Sequence, residues 1–370
     1  MSEPGPVALV GVGLMGASLG LALRERTDVE TVIGVDPDHA TLAQARRRGA
    51  VTDSAPLCDA VAGAGCVVLA APVTTLPALA AEVLAASGDT TLVTDLGSTK
   101  ARLMGAVGGH ARRRFIGGHP VCGGEHSGPG AARADLFVGA TWFLTPGEEA
   151  RADLYERLHR LVGAVGAHPT AIGAEVHDHL MAVVSHLPHM LAAALVNHAA
   201  DSAPEGREAL RSAGPSFRDL TRVAGSNPEL WADILLDNRA AVLDASSGLR
   251  RGLEAVEASL TRGDRGALVD VLARGRAANA RLRAPLDPAT PSAVLSVVVP
   301  DRPGALSAIA TALGHAHINI EDLSLRPGPP GGVGVVRLVV AGESAAEQAR
   351  VVLAARGFEL DAPTDVEELG

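Results

Sequence analysis

The run from Gly117 to Gly128, Gly-Gly-His-Pro-Val-Cys-Gly-Gly-Glu-His-Ser-Gly, pairs a glycine-rich backbone with side chains that can do chemistry. Half of its residues are Gly or Pro, which predicts a loop that turns tightly or lets backbone approach a ligand closely. His119, Glu125 and Ser127 supply an imidazole, a carboxylate and a hydroxyl. Pro120 biases His119 to an extended backbone and so constrains where the imidazole can point. A second polar loop, Asp95-Leu96-Gly97-Ser98-Thr99-Lys100, follows the strand-like run Thr91–Thr94. Two such loops after neighbouring strands of a parallel sheet would lie together at its carboxyl edge, where ligands bind in that architecture.

The elements needed to hold those loops are legible from the N-terminus. Val7–Val10 reads as a strand, Gly11-Val12-Gly13-Leu14-Met15-Gly16 as the turn after it, and the following residues to about Arg26 as a helix. A second strand over Thr31–Val35 closes on Asp36, twenty positions after Gly16. In this context the glycine pattern predicts a dinucleotide site. Gly11 makes the turn, Gly13 admits a pyrophosphate, Gly16 lets helix and strand pack, and the N-terminus of the helix, at Leu14 and Met15, faces the phosphates. Asp36 would accept from the ribose hydroxyls and repel a 2′-phosphate, so NAD is favoured over NADP. The loop around Pro72 and Val73 would cover the cofactor.

The same alternation continues: strands over Cys66–Ala70, Thr91–Thr94, Phe115–Ile116 and Thr141–Leu144, with helices over Leu42–Arg48, Thr75–Ala86, Lys100–Ala106 and Glu149–Val165. It predicts an α/β Rossmann-type, doubly wound parallel sheet over residues 1–172. From 173 to 286 strand signals vanish and an all-helical domain is expected, one whose apolar faces suit a homodimer. Its first helix, Glu175–Ala200, contains Pro188, which should bend it or open its hydrogen-bond ladder. Further helices are expected over Glu208–Ala213, Ser216–Gly225, Pro228–Gly263 with a break near Ser246, and Arg265–Arg283. The proline-rich stretch Ala284–Pro291 reads as a linker. Residues 292–370 then show the order β-α-β-β-α-β of a small ferredoxin-like α+β domain.

Composition limits the alternatives. The chain has 370 residues, 47% hydrophobic and only 2% aromatic, with a net charge of -10. It is a globular chain with little for base stacking and no Lys/Arg stripe, so a nucleic-acid partner is not expected. Three cysteines without metal spacing fit a reduced, cytoplasmic protein, and neither a signal segment nor a membrane span is expected. A metal site built on His177, His179, His186 and His189 lacks a completing ligand at the right spacing. A dinucleotide fold beside an imidazole-bearing loop suggests hydride transfer, with His119 taking the proton of a substrate hydroxyl and Ser98 holding that hydroxyl or the ring. In the helical domain Arg222 could bind a substrate carboxylate through a two-point fork, with Arg218 one turn away.

Five separated segments carry a family resemblance: the glycine turn 11–16; Asp95–Lys100; Gly118-His119-Pro120 with Glu125–Gly128; His177-Asp178 with Ser185–His189; and Thr221-Arg222 with Pro228 and Trp231. Together, over roughly residues 7 to 285, they resemble the prephenate and arogenate dehydrogenases of tyrosine biosynthesis. The resemblance implies NAD-dependent oxidative decarboxylation of prephenate to 4-hydroxyphenylpyruvate, with arogenate as the alternative small-molecule substrate. It matches His119 to the catalytic histidine, Ser98 to its supporting serine, Arg222 to the arginine of the substrate carboxylate, and His189 and Glu125 to the substrate pocket. Related two-domain NAD(P) enzymes of 3-hydroxy acids or imines would carry a lysine in the long helix; the only lysine here is Lys100. Asp301–Leu306 and Ile318–Ile320 resemble an ACT domain, a small-molecule-sensing module, which implies an amino-acid effector, with tyrosine the natural candidate, at Asp301, Gly304 and Asn319.

Overall fold

The computed structural model describes residues 5–123, 127–202, 212–283, 293–300, 304–316, 318–326 and 333–360. Its contacts divide the chain into two compact units: Met1–Asp178, Pro228–Asp237 and Ser292–Gly370 in the first, His179–Asn227 and Asn238–Pro291 in the second.

The first unit begins β1 (Val7–Val10), α1 (Leu14–Arg26), β2 (Val32–Val35), α2 (His39–Arg47), β3 (Asp53–Ser54), α3 (Leu57–Ala62), β4 (Cys66–Leu69), α4 (Leu76–Ala86), β5 (Leu92–Asp95) and α5 (Ala101–Ala106). It continues with β6 (Phe115–Pro120), β7 (Thr141–Pro146), α6 (Ala152–Ala164) and β8 (His168–Ala171). One sheet takes the order β3-β2-β1-β4-β5-β6-β7-β8. Strands β1, β4 and β5 are buried along their whole length, as short Val/Leu runs covered on both faces must be. β1 pairs in parallel with both β2 and β4, so the strand order reverses there and a crevice opens at its carboxyl end.

The parallel order runs from β3 to β6 and then changes. β7 is antiparallel to β6, with His119 opposite Phe143, and β8 runs parallel to β7. Among the described residues only a short 3-10 turn, Pro129–Ala131, lies between β6 and β7, and without a crossover helix the chain returns antiparallel. The expected loop from Gly117 onward is corrected here: the strand continues to Pro120. Its glycines serve close packing. A Cβ on Gly117 would lie 2.2 Å from Thr145 Oγ1, and one on Gly118 2.5 Å from the Asp95 carbonyl oxygen. The short β3, α3 and β8 were not anticipated; β8 carries Pro169, which an edge strand tolerates.

Next come α7 (Ala174–Met181), a π-helical segment (Ala182–His186), and α8 (Leu187–Asp201). The ladder opens in the turn before Pro188, as a residue without an N–H requires. The run Ala174–Asp201 is long and apolar enough to cross a bilayer by length and composition alone. It nevertheless buries His177, Asp178, His186 and His189, polar groups that a lipid-facing helix would leave unsatisfied. The helix expected over Ser216–Gly225 is α9 (Pro215–Thr221) followed by a 3-10 turn at Arg222–Gly225, so Arg222 lies just beyond the helix that carries Arg218. The long helix expected from Pro228 breaks at Asn238, not near Ser246, giving α10 (Pro228–Asp237) and α11 (Arg239–Arg262); α12 spans Arg265–Arg283. Asn238 sits at φ -100° and ψ 26°, and its side-chain amide meets His186 Nδ1 at 3.1 Å. α10 belongs to the first unit: Ile234 enters the core beside α4, and Asp237 accepts from Thr99 Oγ1 at 2.6 Å and pairs with Arg102 at 2.7 Å. The expected helix at 208–213 falls mostly on residues outside those described, as does the 284–291 linker.

The C-terminal module comprises β9 (Ala293–Pro300), α13 (Ala305–His315), β10 (Ile320–Arg326), β11 (Val333–Val340), α14 (Gly342–Ala355) and β12 (Glu359–Leu360). Its antiparallel sheet has the order β10-β11-β9-β12. β9 alternates buried and half-buried residues, the period-two pattern of a sheet with one face against helices.

Candidate active site

The carboxyl ends of β5 and β6 are joined by a buried ion pair. Asp95 ends β5, and both it and Lys100 are fully buried. Asp95 pairs with Lys100 Nζ, accepts the Gly118 N–H at 3.0 Å through Oδ1, and accepts the Gly97 N–H at 2.8 Å through Oδ2. Lys100 Nζ also donates to the Gly118 carbonyl at 2.8 Å. Both backbone groups of Gly118 are therefore fixed immediately before His119. Ser98 sits half-buried in the loop that this pair closes.

His119 is half-buried, and its Nδ1 lies 2.8 Å from His177 Nε2. His177 is fully buried, and its Nδ1 lies 2.8 Å from Asp178 Oδ1. The Phe143 ring stands edge-on to His177 with centroids 5.3 Å apart. Asp178 also accepts the Lys100 N–H at 2.7 Å and the Ala101 N–H at 2.8 Å, at the N-terminus of α5. An imidazole at the sheet edge, backed by a second imidazole and a carboxylate, can accept a proton from a bound hydroxyl. The sequence reading missed Asp95, Lys100, His177 and Asp178 as site residues. Two signals were present: a lysine used once in the chain, and the adjacent His177-Asp178.

Burial holds the His177 pKa below the ordinary histidine value, outweighing Asp178, and burial lowers His189 too. The unfolded chain protonates such groups near about pH 6.5 while the folded protein refuses the proton. Stability is therefore full above about pH 6.5 and lost as pH falls through that value toward the depressed folded pKa. The denaturant midpoint should be flat from pH 8 to 7 and drop by pH 5.5, with a shallower drop in His177→Gln. Equal drops in both proteins would remove His177 from this account.

At the switch point a cleft of about 1000 Å³ is lined by Gly11, Gly13, Asp36, Pro72 and Thr75 among others. Gly11 has φ +96°, and a Cβ there would lie 2.3 Å from the Ala70 carbonyl oxygen. A Cβ on Gly13 would point into open space, and α1 begins after it without a side-chain cap, leaving its first N–H groups for a phosphate. Asp36 lines the same cleft and accepts from the Val12 N–H at 3.0 Å and the Asp38 N–H at 2.9 Å. These features fit a dinucleotide: a glycine cradle for the pyrophosphate and a carboxylate for the ribose. Leu14 and Met15 turn their side chains to the core, and Val73 is buried beside Leu76, so these three can meet a cofactor mainly through backbone. Replacing Asp36 by Ser, with Pro37→Arg, should weaken NAD about 10- to 100-fold, the loss of a charge-assisted bond, and admit NADP. Titrating both dinucleotides checks this; wild-type protein that prefers NADP would reject the role given to Asp36.

His189, Arg218 and Arg222 belong to the second unit; His189 is buried on α8 and the two arginines are exposed. Glu125 and Asp301 lie outside the described residues. Asn319 is exposed, and Gly304, at φ +91°, opens α13. Burial pushes the Cys122 thiol up to about 11, so it stays protonated at neutral pH. Among the described residues no group of three or more His, Cys, Asp or Glu could hold a metal.

Fold and site define a dehydrogenase that binds NAD on a Rossmann-type domain, followed by a helical domain and a ferredoxin-like module. Family profiles match in that order: "Prephenate dehydrogenase, nucleotide-binding domain" over residues 19–171, "Prephenate dehydrogenase, dimerization domain" over 173–274, and "ACT domain" over 293–357. A prephenate dehydrogenase of Bacillus subtilis is 33% identical over 326 residues, covering 86% of this chain and 87% of its own length. The crystal structure of Aquifex aeolicus prephenate dehydrogenase with hydroxyphenyl propionate and NAD+ superposes with a TM-score of 0.71 at 29% identity, covering 76% of this chain and 99% of that one. Synechocystis arogenate dehydrogenase gives a TM-score of 0.65 at 28% identity, covering 75% and 99%. The chain belongs to the prephenate dehydrogenase family.

Proposed function

We propose that this protein oxidises and decarboxylates prephenate to 4-hydroxyphenylpyruvate. The observation that carries this reading is His119, hydrogen-bonded to the buried His177-Asp178 pair at the edge of a dinucleotide-binding sheet. Bound NAD supplies the acceptor for the hydride from C4 of the substrate. His119 takes the C4 hydroxyl proton, and Ser98 orients the ring or the hydroxyl. Arg222 holds a substrate carboxylate, with Arg218, His189 and Glu125 lining the pocket. Carbon dioxide leaves C1 as the ring becomes aromatic, a strongly downhill change, so the protein's main task is to orient C4. Arogenate differs from prephenate only in bearing an ammonium where prephenate has a keto group.

Turnover of prephenate and arogenate with NAD and with NADP tests the reading; inactivity on both substrates would overturn it. Arg222→Lys keeps the charge and loses the planar fork, so KM for the cyclohexadienyl substrate should rise about tenfold, or more, while KM for NAD holds. Equal changes for both ligands would place Arg222 away from the substrate.

The reading extends to three domains, 1–172, 173–286 and 292–370, in a cytoplasmic homodimer. Exposed Leu220, Leu243, Leu260 and Leu272 on the helical unit support pairing with a second copy. Tyrosine is the proposed effector of the ACT module, at Asp301, Gly304 and Asn319. A neighbouring cavity of about 500 Å³ supports an amino-acid ligand: Glu148 and Glu149 suit an ammonium, Arg356 a carboxylate and Phe358 a ring. A Cβ on Gly304 would lie 2.4 Å from the Glu148 carbonyl oxygen, so ligand binding beside it bears directly on the segment after β7. Calorimetry of the full chain with tyrosine should give heat and a fall in turnover; no heat would leave the module without this effector.

A further inference from the structure

We infer that His177 and Asp178 are positioning residues that set the tautomer of His119, placing the proton on Nδ1 and leaving Nε2 as the basic nitrogen. The inference rests on His119 as proton acceptor and adds what makes it one. Hydrogen-bond polarity along the chain of groups carries it. Asp178 accepts two backbone N–H groups, from Lys100 at 2.7 Å and Ala101 at 2.8 Å, where α5 begins. With both oxygens accepting backbone N–H groups, the carboxylate is an acceptor toward His177 as well. His177 Nδ1, 2.8 Å from Asp178 Oδ1, must then carry a hydrogen. His177 is fully buried, against the Phe143 ring, where the neutral imidazole is favoured over the cation. Its Nε2 therefore offers a lone pair. His119 Nδ1, 2.8 Å from that nitrogen, must donate. A neutral imidazole has one N–H, so the lone pair of His119 is on Nε2.

The arrangement needs at 177 a neutral side chain that donates on one side and accepts on the other within a dry site, and an imidazole does both in one small ring. Once His119 has taken a second proton on Nε2, its Nδ1–H still donates to His177, and the Asp178 charge lies one ring further on. The same carboxylate pins the N-terminus of α5, so the loop carrying Ser98 and the catalytic imidazole share one anchor. Asp178 thus ties the tautomer to the position of the loop.

Nitrogen-15 NMR of the full-length protein labelled at histidine, without substrate, reads the tautomer directly. His119→Asn identifies the His119 signals by their loss. Wild type is expected to show His119 protonated at Nδ1 and unprotonated at Nε2. His177→Phe keeps a buried ring and removes the acceptor; His119 should then shift mainly to the Nε2–H form, with kcat about 10- to 100-fold lower and KM for NAD unchanged. His177→Gln offers a carbonyl to His119 and an amide to Asp178, and should recover the Nδ1–H form and most of the lost rate. Wild-type His119 in the Nε2–H form, an Nδ1–H form that survives His177→Phe, or a tautomer change without loss of rate would each overturn the inference. A wild-type enzyme inactive on prephenate and arogenate would instead overturn the functional reading, leaving the tautomer result standing on its own.

Discussion

His119→Asn should lower kcat by about 10²-fold or more while NAD binding stays close to wild type. Asparagine is the informative replacement because its side-chain amide can still donate to His177 Nε2, as Nδ1–H does. The buried partners keep their bonds, and only the basic nitrogen is lost. Dinucleotide affinity should hold because the cleft lined by Gly11, Gly13 and Asp36 sits at β1, β2 and β4, whereas His119 rides on β6. The pH profile gives a second readout. With His119 as proton acceptor, wild-type turnover falls toward low pH as the imidazole takes up a proton before substrate can give one. In His119→Asn that acid limb should disappear along with most of the rate. Turnover within tenfold of wild type, or an acid limb that persists unchanged, would move the proton acceptor elsewhere.

The parts of this molecule legible in the sequence are those whose physical demands are local. The glycine turn could be read because Gly11 and Gly16 answer to atoms a few residues away or on the adjoining strand: a Cβ on Gly16 would meet the Gly11 carbonyl oxygen at 2.0 Å. Asp36 could be read because it must close the strand that follows the turn. The alternation of strand and helix sufficed for β1, β2, β4, β5 and the start of β6, but not for the two-residue edge strand β3. What escaped depends on groups far apart in the chain. Gly117 and Gly118 looked like a loop because glycine breaks regular structure in isolation; here they let β6 lie close to Thr145 and Asp95. Asn238 looked like an ordinary helical residue, and its partner His186 is 52 positions away. His177-Asp178 entered only as part of a family resemblance, because nothing near it in sequence discloses a contact with His119 58 residues earlier. The antiparallel return at β7 escaped because strand runs do not encode direction; a missing crossover helix does.

Lys100→Met should be among the most destabilising single changes in this chain, costing about 3–5 kcal/mol, although methionine nearly matches lysine in length. The cost arises from what is left behind. Lys100 and Asp95 are both fully buried, and removing the ammonium strands an ionised carboxylate in the core. It also takes a donor from the Gly118 carbonyl. Asp95 would still accept from Gly97 and Gly118, and those two neutral donors do not replace a full opposite charge. The expected sign of a second substitution separates this from simple loss of packing. In the Lys100→Met background, Asp95→Asn should be less destabilising than in wild type, because there it removes an unpaired charge rather than creating one. Urea unfolding followed on the β5–β6 region by hydrogen exchange gives all four stabilities without requiring the whole chain to unfold in one step. A loss below about 1 kcal/mol for Lys100→Met, or strictly additive effects, would mean that the pair is solvated in solution and does not anchor β6 beneath His119.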